Sequence, residues 1–212
     1  MCGRLNIYDP DLISEILLEM SLPAYPDHSP RYNVCPQESL PVLTPNKSFQ
    51  NMEWGIEFGN FRHPNTRVST LQRRPDLKQL LAQNRCLIPA NRFYEWPDAK
   101  ARPKYAGIKT RFCIHPENDF ILFGGFFKPV DENHAQFNIL TTGPTPAIND
   151  FHHRSPVMIP AQHAHHWLDQ DLDTLFQYMQ PSSDPLTIYE CDPYVNNGRN
   201  KGAQAMAPLG NG

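Results

Sequence analysis

The sequence predicts an α+β fold, a single strand-rich domain over residues 1–212 with short helices inserted into it. Strand-like apolar runs outnumber helical stripes, and the helices interrupt the strands rather than alternate with them, which disfavours a doubly wound sheet. The chain is 40% hydrophobic over 212 residues, enough for one sizeable core. Its 22 prolines are about twice average usage, so connections are many and long helices few.

"CGRLNIY" alternates well enough for a first strand. "DPDLISEILLEM" then starts a helix, with Asp9 as N-cap, Pro10 in the first turn and one apolar stripe at positions 12, 13, 16, 17 and 20. Residues 21–38 are punctuated by proline and predict a loop. "LPVLT" and "FQNMEWGIEF" read as strands, and "PDLKQLLAQN" as a short helix behind the basic stretch "NTRVSTLQRR". A strand-dense region follows, comprising "CLIPANRFYEW", "KYAGIKTRFCIH", "FILFGGFF" and "QFNILTT". "AQHAHHWL" and "LDTLFQYM" predict short helices, and "LTIYECDPYV" a final strand and loop.

No basic, apolar leader opens the chain and no apolar run approaches ~18 residues, so a soluble, cytosolic protein is expected. The five cysteines are scattered and form no C-x-x-C pair, which argues against a disulfide framework and a structural zinc site. Net charge is −3, unlike a bulk nucleic-acid binder. The distribution is uneven. Residues 1–60 hold three Lys/Arg against eight Asp/Glu, and residues 61–111 hold twelve against three. A solvated face is the ordinary meaning of such a run, but these positives are mostly arginine and interleaved with Pro, Trp and Tyr, which allows a basic surface for phosphate.

Cys2 stands directly behind Met1. Removal of Met1, usual when the second residue is this small, would leave a free 1,2-aminothiol. Its amine (~7.7–8.0) and thiol (~8.5) are both partly deprotonated near neutral pH, and together they condense with an aldehyde to a five-membered thiazolidine. Glu95 lies among aromatics in "RFYEWP", where burial would raise its pKa and suit proton transfer, although spacing alone favours an ion pair with a nearby arginine. His152 in "NDFHHRSPVMIP" stands at a strand entrance, and Asn65 in "PNTRVST" is by default a turn former. "HAHHW" has no Cys or carboxylate at ligand spacing and reads as a solvated helix face, and "FGGFF" is not a phosphate loop.

Taken in order, "MCGR", "RYNVCPQ", "EWG", "NTRVST", "RCLIPANRFYEW", "FGGFF", "ILTT", "HHRSPVMIP" and "VNNGRNKGAQAMAPL" make the chain resemble, nearly end to end, the SOS-response-associated peptidase (SRAP) family, whose members shield abasic sites in single-stranded DNA. The resemblance implies a coiled, barrel-like antiparallel sheet with a basic groove. It implies Cys2 as nucleophile after loss of Met1, forming a thiazolidine crosslink to the abasic aldehyde. Asn65 would hold the terminal residue, Glu95 would move protons, and His152 would act as acid on the sugar ring oxygen. Arg4, Arg67 and Arg154 match phosphate-contacting positions, and Asn33 and Trp54 match positions lining the DNA groove. No cofactor and no metal are implied. The expected partner is single-stranded DNA bearing abasic sites, bound by a monomer that is cytoplasmic and DNA-associated, with no membrane. Two departures flank the expected site and bear on substrate preference or rate. Ser69 stands where the family commonly has Glu, and Asn91-Arg92 where it has Asp-Gly. The competing readings are a cysteine or N-terminal-nucleophile peptidase and a non-covalent single-stranded DNA-binding module, which would need neither Cys2 nor Glu95.

Overall fold

The computed structural model describes residues 2–98, 104 and 110–210. Two sheets share one core. The first is antiparallel and built from β1 (Leu5–Ile7), β2 (Arg31–Val34), β9 (Arg92–Glu95), β10 (Phe112–His115) and β14 (Thr187–Glu190), in the order β14-β10-β9-β1-β2. The second contains β3 (Ser39–Leu43), β4 (Phe49–Trp54), β7 (Asn65–Arg67), β8 (Arg85–Ala90), β11 (Ile121–Pro129), β12 (Ala135–Thr142) and β13 (Ser155–Pro156). Its path β11-β8-β3-β4-β12 closes on itself because β11 also pairs with β12, giving a five-stranded barrel. The small hairpin of β5 (Ile56–Phe58) and β6 (Phe61–His63) stands off this ring.

The expected antiparallel sheet is corrected at one strand, because β12 runs parallel to both β4 and β7. Closure there requires close backbone approach. A Cβ on Gly125 of β11 would sit 2.2 Å from the Asn138 carbonyl oxygen, so the second glycine of "FGGFF" is a packing requirement. Gly55, at φ +116°, separates β4 from β5 in a run that reads as one strand.

Local chemistry explains most of the remaining elements. Helix α1 (Pro10–Glu19) starts as expected, the Asp9 carboxylate accepting from the Leu12 N–H at 3.0 Å, and buries Ile13 and Leu17 of its stripe. Helices α2 (Val68–Leu71) and α3 (Pro75–Asn84) follow β7, α3 burying Leu77 and Leu81. Helices α4 (Ala164–Asp169) and α5 (Leu172–Leu175) each adjoin a 3₁₀ turn. Among the described residues no helix is long and apolar enough to cross a membrane.

Strand β2 lies inside the proline-rich segment 21–38 expected to be a loop, paired to β1 at Leu5–Val34. Its partner is distant in sequence, so local pattern could not reveal it. The expected strand "KYAGIKTRFCIH" begins at residues outside the described ones, and its described part is β10. The run "CLIPANRFYEW" breaks at Asn91, whose buried amide donates to the Asp119 carbonyl and accepts from the Asp9 N–H. Along β9, Phe93 enters the main core, while Tyr94 faces a second cluster with Cys113, Cys191, Val195 and Ala205 under the C-terminal segment. Arg92 clamps Asp119 through Nε (2.8 Å) and Nη2 (2.6 Å) and bonds the Tyr8 and Tyr189 hydroxyls. Asn91 and Arg92 therefore brace the β1–α1 corner through Asp119.

Candidate functional site

The predicted residues converge where the starts of β1 and β7 meet the end of β9 and the loop before β13. Strand β7 alternates. Thr66 turns inward, accepting from the Asn138 amide at 2.7 Å, which leaves Asn65 and Arg67 on the opposite face. The Asn65 amide donates to the Cys2 carbonyl at 2.9 Å, and its own carbonyl oxygen is buried without a hydrogen-bond partner among the described residues. Trp54 supports this corner from behind, its indole N–H donating to the Pro64 carbonyl at 2.9 Å.

Glu95 ends β9, with one carboxylate oxygen accepting from the Trp96 N–H at 3.0 Å. Its side chain is 3% exposed. His152 closes a compact turn in which its N–H donates to the Ile148 carbonyl at 2.9 Å, and its Nε2 lies 3.9 Å from Glu95 Oε1. The Phe151 ring packs on Phe112 at 4.5 Å between centroids, pinning the same turn. His152 Nδ1 faces Arg154, 3.1 Å from its N–H and 2.9 Å from its carbonyl.

Burial sets the protonation states. Desolvation pushes the Glu95 carboxyl up, holding its proton to higher pH than an exposed glutamate. It pushes His152 down to about 4, so the imidazole is neutral at physiological pH. Burial pushes the Cys2 thiol up, so it stays protonated until something takes the proton. A neutral His152 cannot deliver a full proton near pH 7. It can only polarise by hydrogen bonding, whereas the raised pKa of Glu95 suits that carboxyl to proton transfer. Arg67 and Arg154 lie near enough for the first to depress the second's pKa, after the larger effect of burial.

These states predict a pH-dependent stability. His152 has its usual value of 6.5 when unfolded, so between pH 6.5 and 4 the unfolded chain binds more protons and stability falls as the solution is acidified. Glu95 acts oppositely, because its raised folded value makes the folded chain the better proton binder above its unfolded pKa. Comparing wild type with His152→Gln isolates the histidine. Urea denaturation is expected to show wild type losing about 2 kcal/mol more than the variant between pH 7 and 5. Parallel pH dependences would refute a neutral, buried His152.

Three sequence expectations are corrected. Trp54 is fully buried, stacked on Phe137 at 6.2 Å, so it braces the Asn65 corner and offers no face to a base. Asn33 is also fully buried and donates to the Asn197 and Asn200 carbonyls, which ties down the C-terminal segment rather than lining a groove. Its φ of +50° is one asparagine tolerates. The basic run over 61–111 is largely paired within the fold. Arg62 bonds Glu53 and Glu57, Arg74 bonds Asp76, Arg85 the Leu168 carbonyl, Arg92 Asp119, and Arg111 the Cys191 carbonyl. Composition counts charges, whereas folding pairs them.

Arg4 joins Asn33 Oδ1 (2.8 Å) and the Val195 carbonyl (2.9 Å), its guanidinium 5.6 Å from the Trp96 ring centroid. Arg67 and Arg154 line a hollow of about 370 Å³ together with Ser69 and His153, beside the Cys2–Glu95–His152 cluster. A larger hollow of about 530 Å³, lined by Phe120, Leu122, Met158 and Leu186, contains none of the predicted residues. Asp98, His152 and His153 bring three potential ligand atoms within 4.8 Å, but Arg67 and Arg154 beside them oppose a cation. Sequence reading passed over Asp98 and His153. The doubled histidine in "HHRSP" was the available signal.

Known proteins are similar to this chain. The family described as SOS response associated peptidase (SRAP) matches residues 1–198. The abasic site processing protein YoqW of Bacillus subtilis (strain 168) is 28% identical, covering 97% of this chain and 99% of its own length. The abasic site processing protein HMCES of Rattus norvegicus is 23% identical, covering 98% of this chain and 76% of its own. Among solved structures, a protein from Bacteroides thetaiotaomicron superposes with a TM-score of 0.72 at 16% identity, covering 98% of this chain and 99% of that one.

Proposed function

This chain belongs to the SOS response associated peptidase (SRAP) family, and from that premise we propose that it processes abasic sites in single-stranded DNA by forming a thiazolidine crosslink through Cys2 after Met1 is removed. One observation carries this reading. The N-terminal cysteine is gripped at its carbonyl by Asn65 and surrounded by a buried acid, Glu95, and a neutral imidazole, His152. The printed names of relatives such as YoqW and HMCES, abasic site processing proteins, agree with it.

An abasic site is a cyclic hemiacetal in equilibrium with a little open aldehyde. His152 Nε2–H hydrogen-bonds the ring oxygen and favours opening, its Nδ1 then accepting from the Arg154 N–H. The Cys2 amine adds to the aldehyde carbon, giving a carbinolamine. Glu95 gives its proton to the departing hydroxyl, which leaves as water, and an iminium remains. The Glu95 carboxylate next takes the thiol proton as sulfur attacks the iminium carbon, closing the ring. The net reaction joins amine, thiol and aldehyde with loss of one water, and Glu95 ends as it began. Ring closure removes the imine that would otherwise promote strand cleavage. Holding amine, thiol and aldehyde in register is worth several kcal/mol of effective molarity. A peptidase reading is weaker on the same facts, because burial raises the thiol pKa where a cysteine protease lowers it.

The test is incubation of the chain, processed to Cys2, with single-stranded DNA carrying one abasic site. A denaturant-stable protein–DNA band is expected with that strand and none with the intact strand. Equal absence on both would overturn the reading.

A further inference from the structure

We propose that Asp98, in close contact with the His153 ring, and His153, bonded to Arg154, together fix the Arg154 guanidinium as the seat of one phosphodiester of the bound strand, making His153 a positioning residue. The inference rests on the nucleic-acid reading above. Asp98 Oδ2 lies 2.5 Å from His153 Nδ1, and Arg154 Nε donates to His153 Nε2 at 3.0 Å. An arginine Nε–H can only donate, so His153 Nε2 must accept and the ring proton must sit on Nδ1, facing the carboxylate. Burial and the Arg154 charge lower the His153 pKa, which keeps the ring neutral as this tautomer requires.

This arrangement is held at both ends. The Asp98 N–H donates to the Phe151 carbonyl at 2.9 Å, and the His153 ring stacks on His152 with centroids 4.7 Å apart. With Nε engaged, the planar guanidinium is fixed in orientation and its Nη1/Nη2 end remains as a fork matched to two phosphate oxygens. The hollow beside it is lined by both Arg67 and Arg154, and among the described residues no carboxylate lines it. Ser69, which also lines it, is uncharged, so an anion enters here without meeting a fixed negative charge. Two guanidiniums this close repel each other unless an anion lies between them.

Two measurements on the full chain test this. In ¹⁵N-labelled protein, an exchange-protected arginine Nε–H resonance is expected, absent in Arg154→Lys and lost in His153→Ala and Asp98→Ala. Asp98→Asn should keep it, because an amide of the same shape still packs against the His153 ring. In a Cys2→Ala background, His153→Ala should weaken binding of an intact single strand and make its salt dependence shallower by about 0.7 in log–log slope, one phosphate contact. Absence of a protected resonance overturns the arrangement. So does a His153→Ala variant that melts earlier but keeps the wild-type salt slope. If the resonance is present but the unmodified chain retains no single strand, the nucleic-acid reading falls and takes the phosphodiester seat with it.

Discussion

Blocking the Cys2 amine is expected to abolish the covalent link while leaving strand binding intact. A chain with an uncleaved N-terminal extension keeps the thiol, Glu95 and the arginines but has an amide where the reaction needs an amine. No imine forms, and a thiol alone adds to an aldehyde only as a labile hemithioacetal. Crosslink yield should fall by about 10²-fold or more, since the lost advantage is the intramolecular pairing of the two nucleophiles. Cys2→Ala should match it in covalent yield, and both should retain affinity for single strands. The measurement is a denaturing gel beside a non-denaturing titration on the same abasic strand. An extended chain that crosslinks as fast as the processed one would sink the thiazolidine mechanism.

Glu95→Gln should be the most damaging change that leaves both nucleophiles in place. Glu95 supplies the proton for water loss and receives the thiol proton, so both formation and reversal should slow by about 10²–10⁴-fold. An adduct once made would then be unusually persistent. His152→Ala should fail differently, because His152 is neutral and acts on the sugar ring before the amine attacks. Its defect should be smaller and confined to formation, and a substrate already presenting an open aldehyde should restore most of the rate. Single-turnover kinetics with cyclic and open-chain substrates separate the two. Rescue of Glu95→Gln but not of His152→Ala by the open aldehyde would show the roles to be reversed.

The sequence carried much of the site because its chemistry is local to short segments. Cys2 is legible from its place behind Met1, whereas the spacing around Glu95 favoured an ion pair and its role was implied only by the family resemblance. The N-cap of α1 was equally readable, since Asp9 acts on a backbone N–H three residues away. The groove position that the resemblance implied for Trp54 is overturned by packing, because the fully buried ring stacks on Phe137. The arginines of residues 61–111 were misread for a related reason, as their partners Asp119, Leu168 and Cys191 all lie outside that run.

What the sequence determined by itself was the α+β class, the strand runs, the capped first helix and the residue types able to do aminothiol chemistry. These depend on periodicity, on capping over three or four residues and on intrinsic side-chain chemistry. Only the tertiary structure decided that β11 and β12 close a barrel through Gly125, and that β2 exists at all. It also decided that Asn65 reaches the Cys2 carbonyl from 63 positions away, and that burial leaves His152 neutral and pushes the Glu95 carboxyl up. Contacts between distant segments and the loss of water around a charge are properties of the packed chain. No local window of sequence contains them.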